Sequence, residues 1–485
     1  MAQSPERKIN FKSLVFYGIG DLYGGGSFLI ISTLFLFFLT DVVGLRPALA
    51  GLVVFGGKFW DAVSDPLMGC ISDRTKSKYG RRRLYFLIGI VPVFISFLLL
   101  WISFKTGSEF VLFLYYFFAY VLFCTVYTMV MVPYSSLPAE MSLDYKERTR
   151  LSGARMIFSQ LSSIISGVVP GMLVNNLYRD NPRMGFLLVG LIFGLFYAMP
   201  WYFVFKGTWE LPEAEKNMPS SSLSKAFSDM RTLFRVRSFR IHIGMYILGY
   251  SALDVLSALF VYYLTHHIGA RGYYTACLGT MLISQLIVLP LYLYIANRLG
   301  KGKAYTIGAA IVVVVGSLFY GIPAGASLPT LMLLSAGLGF GLSAVVAMPW
   351  AMLPESADAD ELVNGLQRAG SVAGSFTLTR KLVQALVLWL VGILLAAIGY
   401  TANTQASPET IQGIRVFFSF GPTILVLLGG ALALLYPITP KTNAIMRGEL
   451  TKRHEGIISS QETLSQEVRS ALGKIGGHLD AQPRP

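Results

Sequence analysis

The chain has 485 residues, 54% hydrophobic and 14% charged, with a net charge of +14. Soluble domains carry about 25% charged residues, so a mean hydropathy of +0.58 over the whole length excludes a soluble enzyme. Nucleic-acid binding is excluded too, because the basic residues alternate with apolar runs as membrane topology requires.

Twelve apolar runs are long enough to span a bilayer, which takes about 20 residues each. They cover 14–39, 48–71, 84–104, 110–138, 151–175, 184–205, 241–265, 273–296, 304–322, 329–353, 371–399 and 416–437. The first is too long for a signal-peptide core, and no small-residue cleavage site follows it. With the N-terminus inside, the inner connections hold 23 Lys and Arg, the tail seven, and the outer loops six. That is the positive-inside pattern with both termini cytoplasmic. The expectation is a multi-pass protein of the plasma membrane, or of the inner membrane in a bacterium.

The first span opens with "YGIGDLYGGG" (17–26), whose glycines let helices approach closely or bend. It carries Asp21. The second holds "FGGKFWDAVSDP" (55–66). A charge at a helix centre costs about 2.5–3.5 kcal/mol even on a lenient scale, yet Lys58, Asp61 and Asp65 stand here three and four apart, on one helix face. Two carboxylates one turn apart repel when both are ionised. A Na⁺ between them, held by hard oxygen ligands, removes the conflict; a proton does the same. Pro66 withholds a backbone N–H one turn on, freeing carbonyl oxygen nearby. The alternative is an internal Lys58–Asp61 ion pair, which leaves Asp65 unexplained.

The inner loop "GCISDRTKSKYGRRR" (69–83) holds Asp73, Arg74 and Arg81 as gating candidates; a purely topogenic basic loop is the alternative. Arg155 enters the fifth span near its cytoplasmic end. Residues 206–240, the longest polar stretch between spans, separate two sets of six. "SDRTKSKYGRRRLY" (72–85) after the second span is echoed by "ANRLGKGKAY" (296–305) after the eighth. Repeated six-helix halves mark secondary transporters with a midplane site between the repeats. The divisions are therefore 1–205, 206–240, 241–440 and a cytoplasmic tail, 441–485.

In the second half, Asp254 lies deep in the seventh span. "MPWAMLPE" (348–355) sets Trp350 between prolines, either to stack on a sugar ring or to anchor the interface. Lys381, in the eleventh span, is the counter-charge across the halves. Arg380 points about 100° away, toward headgroups or bulk protein. In the tail, Ser459 and Glu462 form a capping box before Leu464, Val468, Leu472 and Ile475 on one helix face. Cys70, Cys124 and Cys277 have no metal spacing and read as small buried hydrophobes. The five histidines show no metal spacing either, so no enzyme constellation is present in the sequence.

The inner-loop "GxxxDR…GRRR" resembles the signature of the major facilitator superfamily. "TDVVGL" (40–45), "WDAVSDP" (60–66), "MVPYSSLPAEMSLDYKERTRL" (131–151) and "MPWAMLPE" resemble the glycoside–pentoside–hexuronide:cation symporters. The resemblance covers roughly residues 10–440. It implies an all-α fold of two six-helix bundles and Na⁺- or H⁺-coupled symport of a glycoside by alternating access. It implies Asp61, Asp65 and Thr128 as cation ligands, with Lys58, Tyr127, Arg155, Trp350 and Lys381 toward the substrate. The coupling ion is the only cofactor expected, and a monomer is expected.

The chain departs from that pattern where the melibiose permease reads galactosyl hydroxyls. Two acids fall at Gly25 and Met131, and a tryptophan falls at Ser135. A site cannot exchange its hydroxyl acceptors for Gly and Met and keep those ligands. The substrate is then a different glycoside. The alternatives are a lysophospholipid or other amphiphile, since "LVVFGGK" and "MPWAMLP" are similar to animal lysophosphatidylcholine transporters, and a membrane sensor without transport.

Overall fold

The structure is a computed structural model, and it describes residues 9–104, 106–142, 145–178, 180–210, 231–365, 369–401, 406–454, 470 and 473–475. The spanning helices are α1 (Phe11–Phe35), α2 (Pro47–Arg74), α3 (Arg83–Leu99), α4 (Glu109–Ser136), α5 (Tyr145–Gly171) and α6 (Pro182–Gly207). A second set follows: α7 (Arg237–Tyr262), α8 (Tyr274–Leu299), α9 (Lys301–Gly321), α10 (Leu328–Asn364), α11 (Ala369–Ala397) and α12 (Pro408–Leu434). Ten helices among the described residues are long and apolar enough to cross a membrane. The other two are α2, whose charges lower its hydropathy, and the 17-residue α3. Helices are the form a chain takes in lipid, because each satisfies its own backbone polar groups. A final helix, α13 (Pro440–His454), follows α12.

The packing repeats. α1 packs on α5, α2 on α4, and α3 on α4 and α6; six helices later α7 packs on α11, α8 on α10, and α9 on α10 and α12. The sets meet through α2 against α11 and α5 against α8, which exchange under the same repeat. The echoed inner loops each turn on a left-handed glycine, Gly80 (φ 99°) and Gly300 (φ 95°).

Several boundaries differ from expectation. α1 is interrupted at Ile19 and Gly20, then runs on through π-helical turns at Ile31–Phe35 and Phe38–Val43. α10 continues to Asn364 rather than 353, because this extension buries Ser356, Ala359, Asp360 and Leu362. α7 begins at Arg237, within the expected central loop, of which residues 211–230 lie outside the described residues. So do Ser459, Glu462, Leu464, Val468 and Leu472 of the tail.

The ends of α1 and α7 are internal copies. "LTDVVG" (39–44) and "LTHHIG" (264–269) both wind into π-helical turns, Phe38–Val43 and Tyr263–Ile268. Both stop at a left-handed glycine, Gly44 (φ 90°) and Gly269 (φ 77°), where a side chain would strain the backbone. These turns meet at the end of the bundle remote from Phe11 and Leu434, here called the distal end. There α2 passes α11 closely at Gly51 and Gly392, and Thr275 of α8 lies against Gly171 of α5.

Candidate functional site

The intramembrane charges converge near the middle of the bundle. The α2 helix continues unbroken past Pro66, which has no N–H to give the Ala62 carbonyl. Asp61 and Asp65 therefore stay on one face, toward α4 and α11. The Lys381 ammonium lies 2.9 Å from Asp61 Oδ2 and 2.6 Å from Asp65 Oδ2. The Thr128 hydroxyl reaches both carboxylates, 2.9 Å from Asp65 Oδ1 and 3.3 Å from Asp61 Oδ1. Ser64 Oγ stands 3.0 Å from Thr128 Oγ1 and donates to the Asp61 carbonyl.

This donor set fits a small hard cation. Asp61 Oδ2 is buried and, although in ion-pair range of Lys381, has no partner in hydrogen-bonding geometry. The cluster offers two carboxylates and two hydroxyls around the ammonium of Lys381. Lys58 is buried one turn earlier. Its ammonium is 4.0 Å from Asp61 Oδ2 and 3.0 Å from the Phe28 ring centre, as a cation–π contact places it.

A second pair lies in the first half. Arg155 on α5 is 3.1 Å from Asp21 on α1, and its guanidinium lies over the Tyr134 ring. Its side chain is 31% exposed, whereas the carboxylate is buried. Tyr127 lies between this pair and the α2 carboxylates, packed on Tyr23 and Phe28 with the Lys381 ammonium 5.9 Å from its ring centre.

The counterpart in the second half joins the same kinds of helix, α7 and α11. Arg380 binds Asp254 through two bonds of 2.7 and 2.8 Å, and Gln384 adds a third at 2.9 Å. Arg380 thus turns to a buried carboxylate rather than to headgroups, because in a dry interior a guanidinium needs a matched acceptor. Its guanidinium stacks on Tyr250, whose hydroxyl accepts from Trp350 Nε1 at 2.7 Å. Trp350 remains 46% exposed, with its indole face free of this bond. The eight charges Asp21, Lys58, Asp61, Asp65, Arg155, Asp254, Arg380 and Lys381 therefore sum to zero, which is what a buried cluster requires.

The inner loop is built around two glutamates that the sequence reading missed. Arg81 Nη2 is 2.9 Å from Glu140 Oε1, and Arg82 pairs with the same carboxylate. Glu210 accepts the backbone N–H groups of Arg81, Arg82 and Arg83 at 3.0 Å, capping the start of α3. Arg74 is exposed at the end of α2; the Asp73 side chain lies outside the described residues. In the second half Lys301 pairs with Glu355 at 2.7 Å. "PYSSLPAE" (133–140) and "PWAMLPE" (349–355) share the Pro–aromatic–Leu-Pro–Glu order that would have flagged Glu140 and Glu355.

Of the three positions where the chain departs from the melibiose permease pattern, Gly25 and Met131 are closed off and Ser135 is exposed. A Cβ on Gly25 would meet Ser159 Oγ at 2.4 Å and the Ser159 carbonyl at 2.5 Å. Met131 is buried, and Ser135 bonds back to the Val132 carbonyl.

Comparisons with known proteins agree with this architecture. Residues 16–440 match the family described as MFS/sugar transport protein. The chain is 26% identical to the glucuronide carrier protein homolog of Escherichia coli K12, over 90% of this chain and 94% of that one. It is 24% identical to the sphingosine-1-phosphate transporter MFSD2B of Xenopus tropicalis, over 91% and 90%. The crystal structure of a D-xylose–proton symporter superposes with a TM-score of 0.63 at 14% identity, covering 88% of this chain and 98% of that one.

Proposed function

Because this chain belongs to the MFS/sugar transport family and is a symporter rather than an enzyme, we propose that it couples uptake of a glycoside-type solute to Na⁺ or H⁺ by alternating access. The observation that carries this reading is the Lys381 ammonium held between Asp61 and Asp65 across the two halves. A cation entering that site takes over both carboxylates and releases Lys381. The freed charge is then available to the solute or to the returning carrier. Ion and solute thus tighten each other's binding, a reciprocity that any such coupling obeys.

Asp61, Asp65 and Thr128 hold the ion in this proposal, with Ser64 as an added oxygen. Arg155, Tyr127 and Trp350 face the solute, and Lys58 steadies Asp61 from behind. With both termini inside, the distal end faces outward. The seal of α2 on α11 and α5 on α8 there makes this a conformer closed to the outside. Asp73, Arg74 and Arg81 belong to the opposite gate, with Glu140 as the anchor of Arg81.

A thermal-shift screen of the purified protein tests the proposal, run with and without Na⁺ against glycosides, uronides and lysolipids. A glycoside whose stabilisation grows with Na⁺, or with acid in its absence, supports it. Stabilisation by lysolipids alone replaces the solute class. No solute with ion-dependent stabilisation removes the coupling.

A further inference from the structure

The distal seal contains a hydrogen-bond chain that transport chemistry at the centre does not use. Asp41, in the turn that ends α1, and His266, in the turn that ends α7, hold equivalent positions in the repeated "LTDVVG" and "LTHHIG". Both converge on one hydroxyl. Tyr400, just beyond α11, donates to Asp41 Oδ1 at 2.5 Å, and His266 Nε2 lies 3.0 Å from the same hydroxyl. With Asp41 ionised, Tyr400 gives it this proton and the imidazole donates Nε2–H to the Tyr400 oxygen; with a proton on Asp41 Oδ1 the run reverses, Asp41 donating to Tyr400 and Tyr400 to the imidazole. On the other side Thr40 Oγ1 donates to Asp41 Oδ2 at 2.6 Å and stands 2.7 Å from the Tyr262 hydroxyl. The chain therefore joins α1 to α7 and to the end of α11, across the two halves. When the mouth opens, these partners separate and water replaces them.

The groups facing Asp41 are Tyr262 and His266 from the α7 end, Tyr400 from the α11 end, and Arg271 from the turn before α8. Arg46, close in sequence, turns instead to Glu109 at 2.9 Å. Neither Asp61 nor Asp65 belongs to this cluster.

We infer that Asp41 is a proton-binding site of the distal mouth, separate from the coupling site, and that its protonation holds the mouth closed. Burial raises the Asp41 carboxyl from the ordinary 3.8 to about 6, against the smaller lowering by Thr40, Tyr400 and Arg271. The sign follows directly. A group whose value is raised in the closed form stabilises that form fully below its ordinary value, and the effect is lost as pH rises through about 6. Acid on the distal side closes the mouth. His266 acts with the opposite sign, since a cation there gains from water in the open form. The distal side being external rests on the transport proposal; the proton site itself does not.

The test is a distance measurement between spin labels at Ala48→Cys and Ala324→Cys, two exposed positions on opposite halves at the distal end. It uses the full-length chain in nanodiscs with its native cysteines changed to alanine, at pH 8 and pH 5, with choline as the only cation and no solute. The expected result is an increase of about tenfold in the closed-to-open ratio at pH 5 in His266→Gln, and a smaller increase in the wild type, where His266 opposes it. Asp41→Asn keeps the hydrogen-bond acceptor and abolishes the change. His266→Gln keeps the donor and retains it. A wild-type-sized change in Asp41→Asn overturns the inference, as does the lack of any change in both the wild type and His266→Gln. Since neither Na⁺ nor solute is present, and a proton acting at Asp61 or Asp65 still acts in Asp41→Asn, a failure of ion–solute coupling leaves this result standing, and the reverse.

Discussion

Lys381 reaches Asp65 across the interface of the two halves with a separation of 2.6 Å, and the pair is 316 residues apart in sequence. No element of local structure brings them together. Their proximity exists only while α11 lies along α2, so the ion pair reports the conformer.

Replacing either carboxylate should silence ion-driven transport. Asp61→Asn and Asp65→Asn are expected to reduce Na⁺- or H⁺-driven accumulation in proteoliposomes by about 5–150-fold, the span of ordinary coupling free energies. The protein should still be produced and purify as a single species. Normal accumulation by both variants would remove these residues from the ion site.

In the proposed coupling, Lys381→Gln removes the tethered competitor. The ion site then holds two carboxylates with no internal counter-charge, and like charges this close cannot both stay ionised unaided. We expect the melting temperature of this variant to respond more steeply to Na⁺, or to acid, than the wild type. The midpoint for the ion should fall by about tenfold, roughly 1.4 kcal/mol. An unchanged response would mean that the ammonium and the ion occupy different places.

Thr128→Val keeps the shape and deletes the hydroxyl shared by both carboxylates. A single hydrogen bond of this kind contributes about 1 kcal/mol, so ion affinity should drop about fivefold, with Thr128→Ser close to wild type. Titration of stabilisation against Na⁺ or pH measures the difference.

Asp254 is expected to matter for stability before function. Asp254→Asn leaves the Arg380 guanidinium buried without its charge partner, a change that costs about 3–5 kcal/mol in comparable pairs. The double variant Asp254→Asn/Arg380→Gln should recover most of the lost melting temperature. If the double variant melts as low as the single one, the pair is not the source of the effect.

Much of this site was legible because lipid makes charge conspicuous. Lys58, Asp61, Asp65, Asp254 and Lys381 stand out in apolar runs, and the three-and-four spacing on α2 already places its charges on one face. Partners were another matter. Nothing local tells Arg380 to choose Asp254 over headgroups, since that depends on how α7 and α11 cross. Ser64 was passed over because one serine in a helix has many bland uses. Glu140, Glu210 and Glu355 lie at helix ends, where acids attract no notice until an arginine or a row of N–H groups is found opposite them. The π-helical ends of α1 and α7 run past the expected spans, 14–39 and 241–265, although their shared hexapeptides stand in plain view.

The clash at Gly25 bears on how a transporter of this kind can change its diet. Its α1–α5 seam is closed so tightly at Ser159 that an acid at position 25 has no room. Placing a carboxylate there takes more than one substitution: the two backbones must first be pried apart. Arg155 and Trp350 already project side chains, 31% and 46% exposed, so exchanging them asks for no such movement of the backbone.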